Sequence, residues 1–125
     1  MYKEQSLNKS VVSSAVISKI SEEGKPEEVL AKHLKNYKTP NEVRIKGKEF
    51  GFTPDLAVFY KDEANFYEIE LDKPTTAIKW RLFSLYAQKN KGNFFLVVPD
   101  YLKDDIKKEV DEKEISAEVL YFVTE

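Results

Sequence analysis

Pro54-Asp55-Leu56-Ala57-Val58-Phe59-Tyr60 and Phe66-Tyr67-Glu68-Ile69-Glu70-Leu71-Asp72 are two β-rich runs separated by the polar stretch Lys61-Asp62-Glu63-Ala64-Asn65. Apolar, β-branched and aromatic residues bounded by turn formers predict a hairpin. A strand alternates its side chains with period two. Glu68, Glu70 and Asp72 therefore fall on one face of the second strand, and Tyr67, Ile69 and Leu71 on the other. Three carboxylates on one face repel one another, and burial raises the cost of their charges. A divalent cation resolves that conflict, because Mg²⁺ and Mn²⁺ favour carboxylate and water oxygens. Asp55, at the start of the partner strand, is placed to converge on the same point as Glu68. A metal ion there activates water and stabilises charge developing on a phosphate.

Downstream of the hairpin, Pro74-Thr75-Thr76 introduces a helix from about Thr76 to Lys89, which Lys91-Gly92-Asn93 ends. The apolar run Phe94 to Val98 predicts a strand covered on both faces. A short charged helix from Leu102 to Glu112 and a strand from Glu118 to Val123 follow. Upstream, Val43 and Ile45 alternate with Arg44 and Lys46, with Gly47 as a turn. Pro26 with Glu27 and Glu28 reads as the start of a helix running to Tyr37. Ser6 to Glu23 reads as an earlier helix stopped by Gly24. Three hairpin-connected strands followed by a helical crossover predict an α/β fold, a mixed central sheet with helices on both faces. Residues 1–24 read as an N-terminal helical extension and residues 25–125 as the domain proper, in a chain that is one domain overall.

Composition narrows the function. A chain of 125 residues, 42% hydrophobic and 34% charged, has material for a real core. Without Cys there are no disulfides, thiolate zinc sites or cysteine nucleophiles. A single histidine, His33, leaves no multi-histidine metal site. The longest apolar runs fall far short of the roughly 20 residues that span a bilayer, so no membrane association is expected. The N-terminus lacks a secretory h-region. A cytoplasmic location is the expectation. The net charge of −2 is unevenly spread, with basic excess in residues 25–48 and acidic excess in residues 100–125. The alternating Arg44, Lys46 and Lys48 suit either an edge protected by charge or a strand that tracks a nucleic-acid backbone.

Pro54-Asp55, the acid Glu68, the following helix with Lys79, Trp80, Arg81 and Tyr86-Ala87-Gln88, and the apolar strand 94–98 together resemble the PD-(D/E)xK nuclease superfamily, the restriction-endonuclease-like fold. The resemblance covers roughly residues 25–123. It implies an αβββαβ core and metal-dependent hydrolysis of DNA phosphodiesters, with Asp55 and Glu68 holding Mg²⁺ or Mn²⁺. It also implies a helix-borne acid at Glu27 or Glu28. The chain departs from the family at one place: Glu70 stands where the motif has Lys. Glu70 is then a supplementary metal ligand or water-orienting base. Lys79, or else Lys73, stands in for the missing cation, a relocation that occurs in the superfamily.

Taken singly, the same residues have plainer readings. Pro54-Asp55 suits a turn entering a strand, Glu68 and Glu70 suit a wetted strand face, and Lys79 and Arg81 suit a solvated helix. Trp80 reads as core, and His33 as a helix-surface or boundary residue. The functional expectation is a metal-dependent endonuclease acting on DNA, with Arg44, Lys46 and Lys48 steering the phosphate backbone. So small a nuclease would take specificity from a homodimer, a larger assembly or nucleic-acid shape. The alternative is a catalytically degenerate nuclease-fold domain that binds nucleic acid or a partner protein.

Overall fold

The computed structural model describes residues 8–44, 47, 51–72 and 77–124. In chain order its elements are α1 (Lys9–Glu23), β1 (Glu28–Ala31), β2 (Val43–Arg44), β3 (Gly51–Phe52), β4 (Leu56–Phe59), β5 (Ala64–Ile69), α2 (Ala77–Lys89), β6 (Phe94–Pro99), a 3₁₀ turn (Asp100–Leu102), α3 (Lys103–Glu112) and β7 (Glu118–Phe122). The main sheet has five strands in the order β1-β4-β5-β6-β7. The pairs β1–β4 and β4–β5 are antiparallel, and β5–β6 and β6–β7 are parallel. The fold is thus mixed α/β, and the elements through β6 that build the main sheet follow one another as α-β-β-β-α-β.

The predicted hairpin forms, with shifted bounds: its second strand is Ala64–Ile69 rather than Phe66 to Asp72, so Ala64 and Asn65 belong to the strand and not the turn, and Asp72 lies exposed beyond the strand end. Tyr60 N–H donates to Glu63 C=O at 2.8 Å to close the turn, and Leu56 pairs with Tyr67. Alternation along the strands divides the core in two. Leu56, Val58, Tyr67, Ile69 and Val97 face α1, which contributes Val12, Ile17 and Ile20. Ala57, Phe66, Leu96 and Val98 face the layer holding Trp80 and Phe83 of α2 and Ile106 of α3. β5 and β6, buried on both faces, are apolar throughout for that reason, apart from Asn65 and Glu68. The N-terminal helix, expected as an extension ahead of the domain, is the layer that covers one face of the sheet. Its start is capped by the Asn8 side chain, which accepts from Val11 N–H at 2.9 Å.

The end of α2 is clipped onto the start of β5. Lys91 takes a left-handed conformation (φ 61°), and Gly92 N–H donates to Ala87 C=O at 2.9 Å. A Cβ on Gly92 would lie 1.8 Å from the Ala64 carbonyl oxygen, so only glycine admits this approach. This junction fixes where α2 lies over the sheet.

Two expectations are corrected. Residues 26–37 do not form a helix; they supply the edge strand β1 and then turns. Val29 and Leu30 suit a helix face and a strand equally. Here Glu27 N–H donates to Phe59 C=O at 2.8 Å and Lys32 N–H to Asp55 C=O at 3.0 Å, so pairing with β4 satisfies the backbone along the segment. Helix-start preferences worth fractions of a kcal/mol lose to that pairing. The strand at Val43–Arg44 also lies outside the main sheet, in a two-stranded ribbon with β3. β1 takes the place expected of it as the first strand of the meander. Among the described residues, no helix is long and apolar enough to cross a membrane.

Candidate active site

Continuing the β4–β5 register by one residue sets Asp55 opposite Glu68. The two acids are stitched together through the backbone. Asp55 N–H donates to Glu68 Oε1 at 3.2 Å, and Ile69 N–H donates to Asp55 Oδ2 at 2.8 Å. Both side chains are almost wholly buried, Asp55 at 1% exposed and Glu68 at 2%. They lie at the carboxyl end of β5, which is parallel to its neighbour β6, the end of an open α/β sheet where ligands characteristically bind.

Two ammonium groups reach this pair from opposite helical layers. Lys9, in the first turn of α1, places Nζ 3.0 Å from Asp55 Oδ2 and 3.8 Å from Glu68 Oε2. Lys79, in the first turn of α2, places Nζ 2.6 Å from Glu68 Oε2 and 3.4 Å from Glu70 Oε2. His33, in the turn after β1, sets Nε2 2.6 Å from Asp55 Oδ1. Glu70 accepts the buried Trp80 indole N–H on Oε2 at 2.7 Å. Trp80 is therefore both core, as expected, and the group that orients Glu70.

The electrostatics set the two acids apart. Burial pushes the Asp55 carboxyl up, but the Ile69 amide, Lys9 and His33 together outweigh it and hold the group below the usual carboxylate range. Burial and the neighbouring Asp55 push Glu68 up to about 7, against the opposing pull of Lys79 and Lys9. Burial disfavours the Lys79 ammonium, yet Glu68 and Glu70 more than compensate and raise it above the ordinary lysine value.

The structure thus brings together Asp55, Glu68, Glu70 and Lys79. Arg44 lies in the ribbon that packs against α2, exposed and paired with Glu42. Lys46, Lys48 and Lys73 lie outside the described residues. The helix-borne acid at Glu27 or Glu28 is corrected. Glu28 is an exposed residue on β1 opposite Phe59, three positions and roughly 10 Å along the strand from the Ala31–Leu56 pair beside the acids. The segment delivers His33 to Asp55 instead.

Sequence reasoning missed Lys9 and His33. His33 was hidden by the helical reading of its segment. Lys9 did leave a signal: a lysine in the first turn of a helix with no acid in that turn opposes the helix dipole, so it needs a partner elsewhere.

The donor set bears on a metal. Among the described residues, no group of three or more His, Cys, Asp or Glu side chains is placed to hold an ion. Asp55 and Glu68 converge as a pair of hard oxygen donors, and Mg²⁺ commonly takes only one or two carboxylates and completes its shell with water and substrate. The pair fits such an ion on that basis. Glu70 is already engaged by Trp80 and Lys79. No protein-family model, curated protein or solved structure matches the chain.

Proposed function

We propose that this chain is a metal-dependent phosphodiesterase of the PD-(D/E)xK type acting on DNA, with Asp55 and Glu68 as the acids that hold Mg²⁺ or Mn²⁺. The observation that carries the reading is the pairing of these two buried carboxylates across the hairpin, with an ammonium delivered to Glu68 from the following helix. The α-β-β-β-α-β order of the elements that build the main sheet through β6 supports it, because that is the order the resemblance implies. So does the upward push on Glu68, a charge conflict that a dication relieves.

When bound, the ion supplies charge stabilisation at the scissile phosphate and acidifies water. The protein's own groups do the rest. Lys79 fills the role of the motif lysine from helix α2, offering positive charge beside Glu68. Glu70 takes the motif position but serves to seat Lys79, its Oε2 fixed by Trp80. His33 holds the Asp55 carboxylate in one orientation through Oδ1. The ribbon bearing Arg44 packs on the layer that carries Lys79, where Arg44 would meet the DNA backbone; Lys46 and Lys48 are assigned the same role from the sequence alone.

A second reading has its own support. Glu70 replaces the motif lysine, and two ammonium groups already neutralise the acid pair. A nuclease fold that no longer cleaves, and binds nucleic acid or a partner protein, accounts for both. Measuring Mn²⁺ binding and plasmid nicking for wild type, Asp55→Asn and Lys79→Met separates the two. Binding and nicking that both vanish in Asp55→Asn, with nicking alone lost in Lys79→Met, supports the enzyme. Metal binding with no cleavage of duplex, branched or single-stranded DNA supports the second reading.

A further inference from the structure

Lys9 occupies the space between the two acids. Its Nζ lies 3.0 Å from Asp55 Oδ2 and 3.8 Å from Glu68 Oε2, so one ammonium stands between the two carboxylates that would hold a dication. We propose that Lys9 is an internal place-holder for the divalent ion, which enters only as the Lys9 side chain swings out. The inference rests on the metal reading above and adds a device to it: the first turn of α1 senses whether the site is loaded.

Three features of the chain argue for exchange rather than permanent pairing. A divalent ion needs carboxylate oxygens at about 2.1 Å, so it must sit close to the point the ammonium now neutralises, and two cations cannot share that point. The Lys9 side chain is 32% exposed, whereas Lys79 is 18% exposed and gripped by two carboxylates. Lys9 therefore has an open route to solvent, and Lys79 stays. Finally, Lys9 gains nothing from its own helix. It stands at the positive end of α1, in a turn with no acidic residue, and among the described residues Asp55 and Glu68 are the carboxylates that hold it inward. The core contacts of α1 begin at Val12, and withdrawal of Lys9 leaves them in place.

The test titrates Mn²⁺ alone into wild type, Lys9→Gln and Asp55→Asn by calorimetry near pH 7.5, with thermal melts to verify folding. The expected result is Mn²⁺ binding by Lys9→Gln about tenfold tighter or more than by wild type, since one competing charge at contact distance is gone. Equal or weaker binding by Lys9→Gln, with wild type binding and Asp55→Asn not, overturns this inference and leaves the metal reading standing. Absence of binding in both wild type and Lys9→Gln overturns the two together. Binding by Lys9→Gln alone supports the place-holder in its strongest form. A measurement on unmutated protein guards against a misfolded variant. The Lys9 side-chain NMR resonances should move toward solvent-exposed values in step with Mg²⁺ saturation; resonances that stay fixed through saturation overturn the proposal.

Discussion

The Asp55 amide donates to Glu68 Oε1 across the β4–β5 hairpin, and the residue after Glu68 returns a hydrogen bond to Asp55. The two carboxylates are therefore fixed to each other by backbone geometry. Neither can relieve the repulsion by rotating into solvent, because both are buried.

That constraint sets a pH dependence. Glu68 is raised to about 7 in the folded protein against an ordinary value of 4.5, first by burial and then by Asp55. Between those limits the folded state binds the extra proton, so stability falls as pH rises through the window and recovers as pH falls. Asp55 acts the other way. Its lowered value contributes stability above the usual carboxylate range, lost only as pH drops through the folded value, below 3.8. Urea unfolding in EDTA should show wild type gaining up to about 3 kcal/mol from Glu68 between pH 7.5 and pH 4.5. In Glu68→Gln that leg should be absent. A wild-type and variant difference that stays constant across the window counts against a shifted Glu68.

The hairpin and its facing acids were legible because period-two alternation is a local property: Phe66 to Asp72 announces its two faces whatever surrounds it. Lys79 was legible from its place in the helix after the motif. The edge strand β1 was not, because Val29 and Leu30 fit both periods and the deciding partner, β4, is remote in sequence. Misreading that segment hid His33 as well. Lys9 lies 46 positions from Asp55, and contacts at that separation leave no periodic trace.

Lys79 is the residue whose removal should most unbalance the charge of the acid cluster. Its ammonium is the partner of two buried carboxylates, so Lys79→Met strands Glu68 and Glu70 without their cation. Breaking a buried pair from one side costs about 3 kcal/mol or more, and here protonation of Glu68 softens the loss. Chemical denaturation should therefore show a deficit that shrinks as pH falls from 7.5 to 5. The double variant Lys79→Met, Glu70→Gln should recover part of it, since the amide oxygen introduced in place of the Glu70 carboxylate can still accept from the Trp80 indole without a stranded charge. A double variant no more stable than Lys79→Met would place the cost elsewhere.

The position of Lys79 over the acids depends in turn on a contact at the far end of the same helix. Gly92 N–H donates to Ala87 C=O, and the absent Cβ lets the Ala64 carbonyl approach where a methyl group would lie 1.8 Å from its oxygen. The neighbouring Asn93 N–H donates to the Asn65 side chain at 2.8 Å, and Ala64 N–H and Phe66 N–H donate to the Asn90 and Asn93 carbonyls at 3.2 and 3.0 Å, so the end of α2 is tied to the start of β5. Backbone cannot yield as a flexible side chain does. Gly92→Ala must push the helix end away from β5, at about 1–3 kcal/mol, the usual range for overpacking. Because β5 carries Glu68 and α2 carries Lys79, the same displacement should loosen their contact. The expected outcome is a lowered melting temperature together with a smaller upward shift of the Lys79 ammonium, read from its side-chain NMR titration. Gly92→Ala that melts like wild type would show that the junction can relax, and the helix would then owe its placement to its other contacts, the Trp80 and Phe83 packing and the Ser84 hydroxyl donating to Ser116 C=O among them.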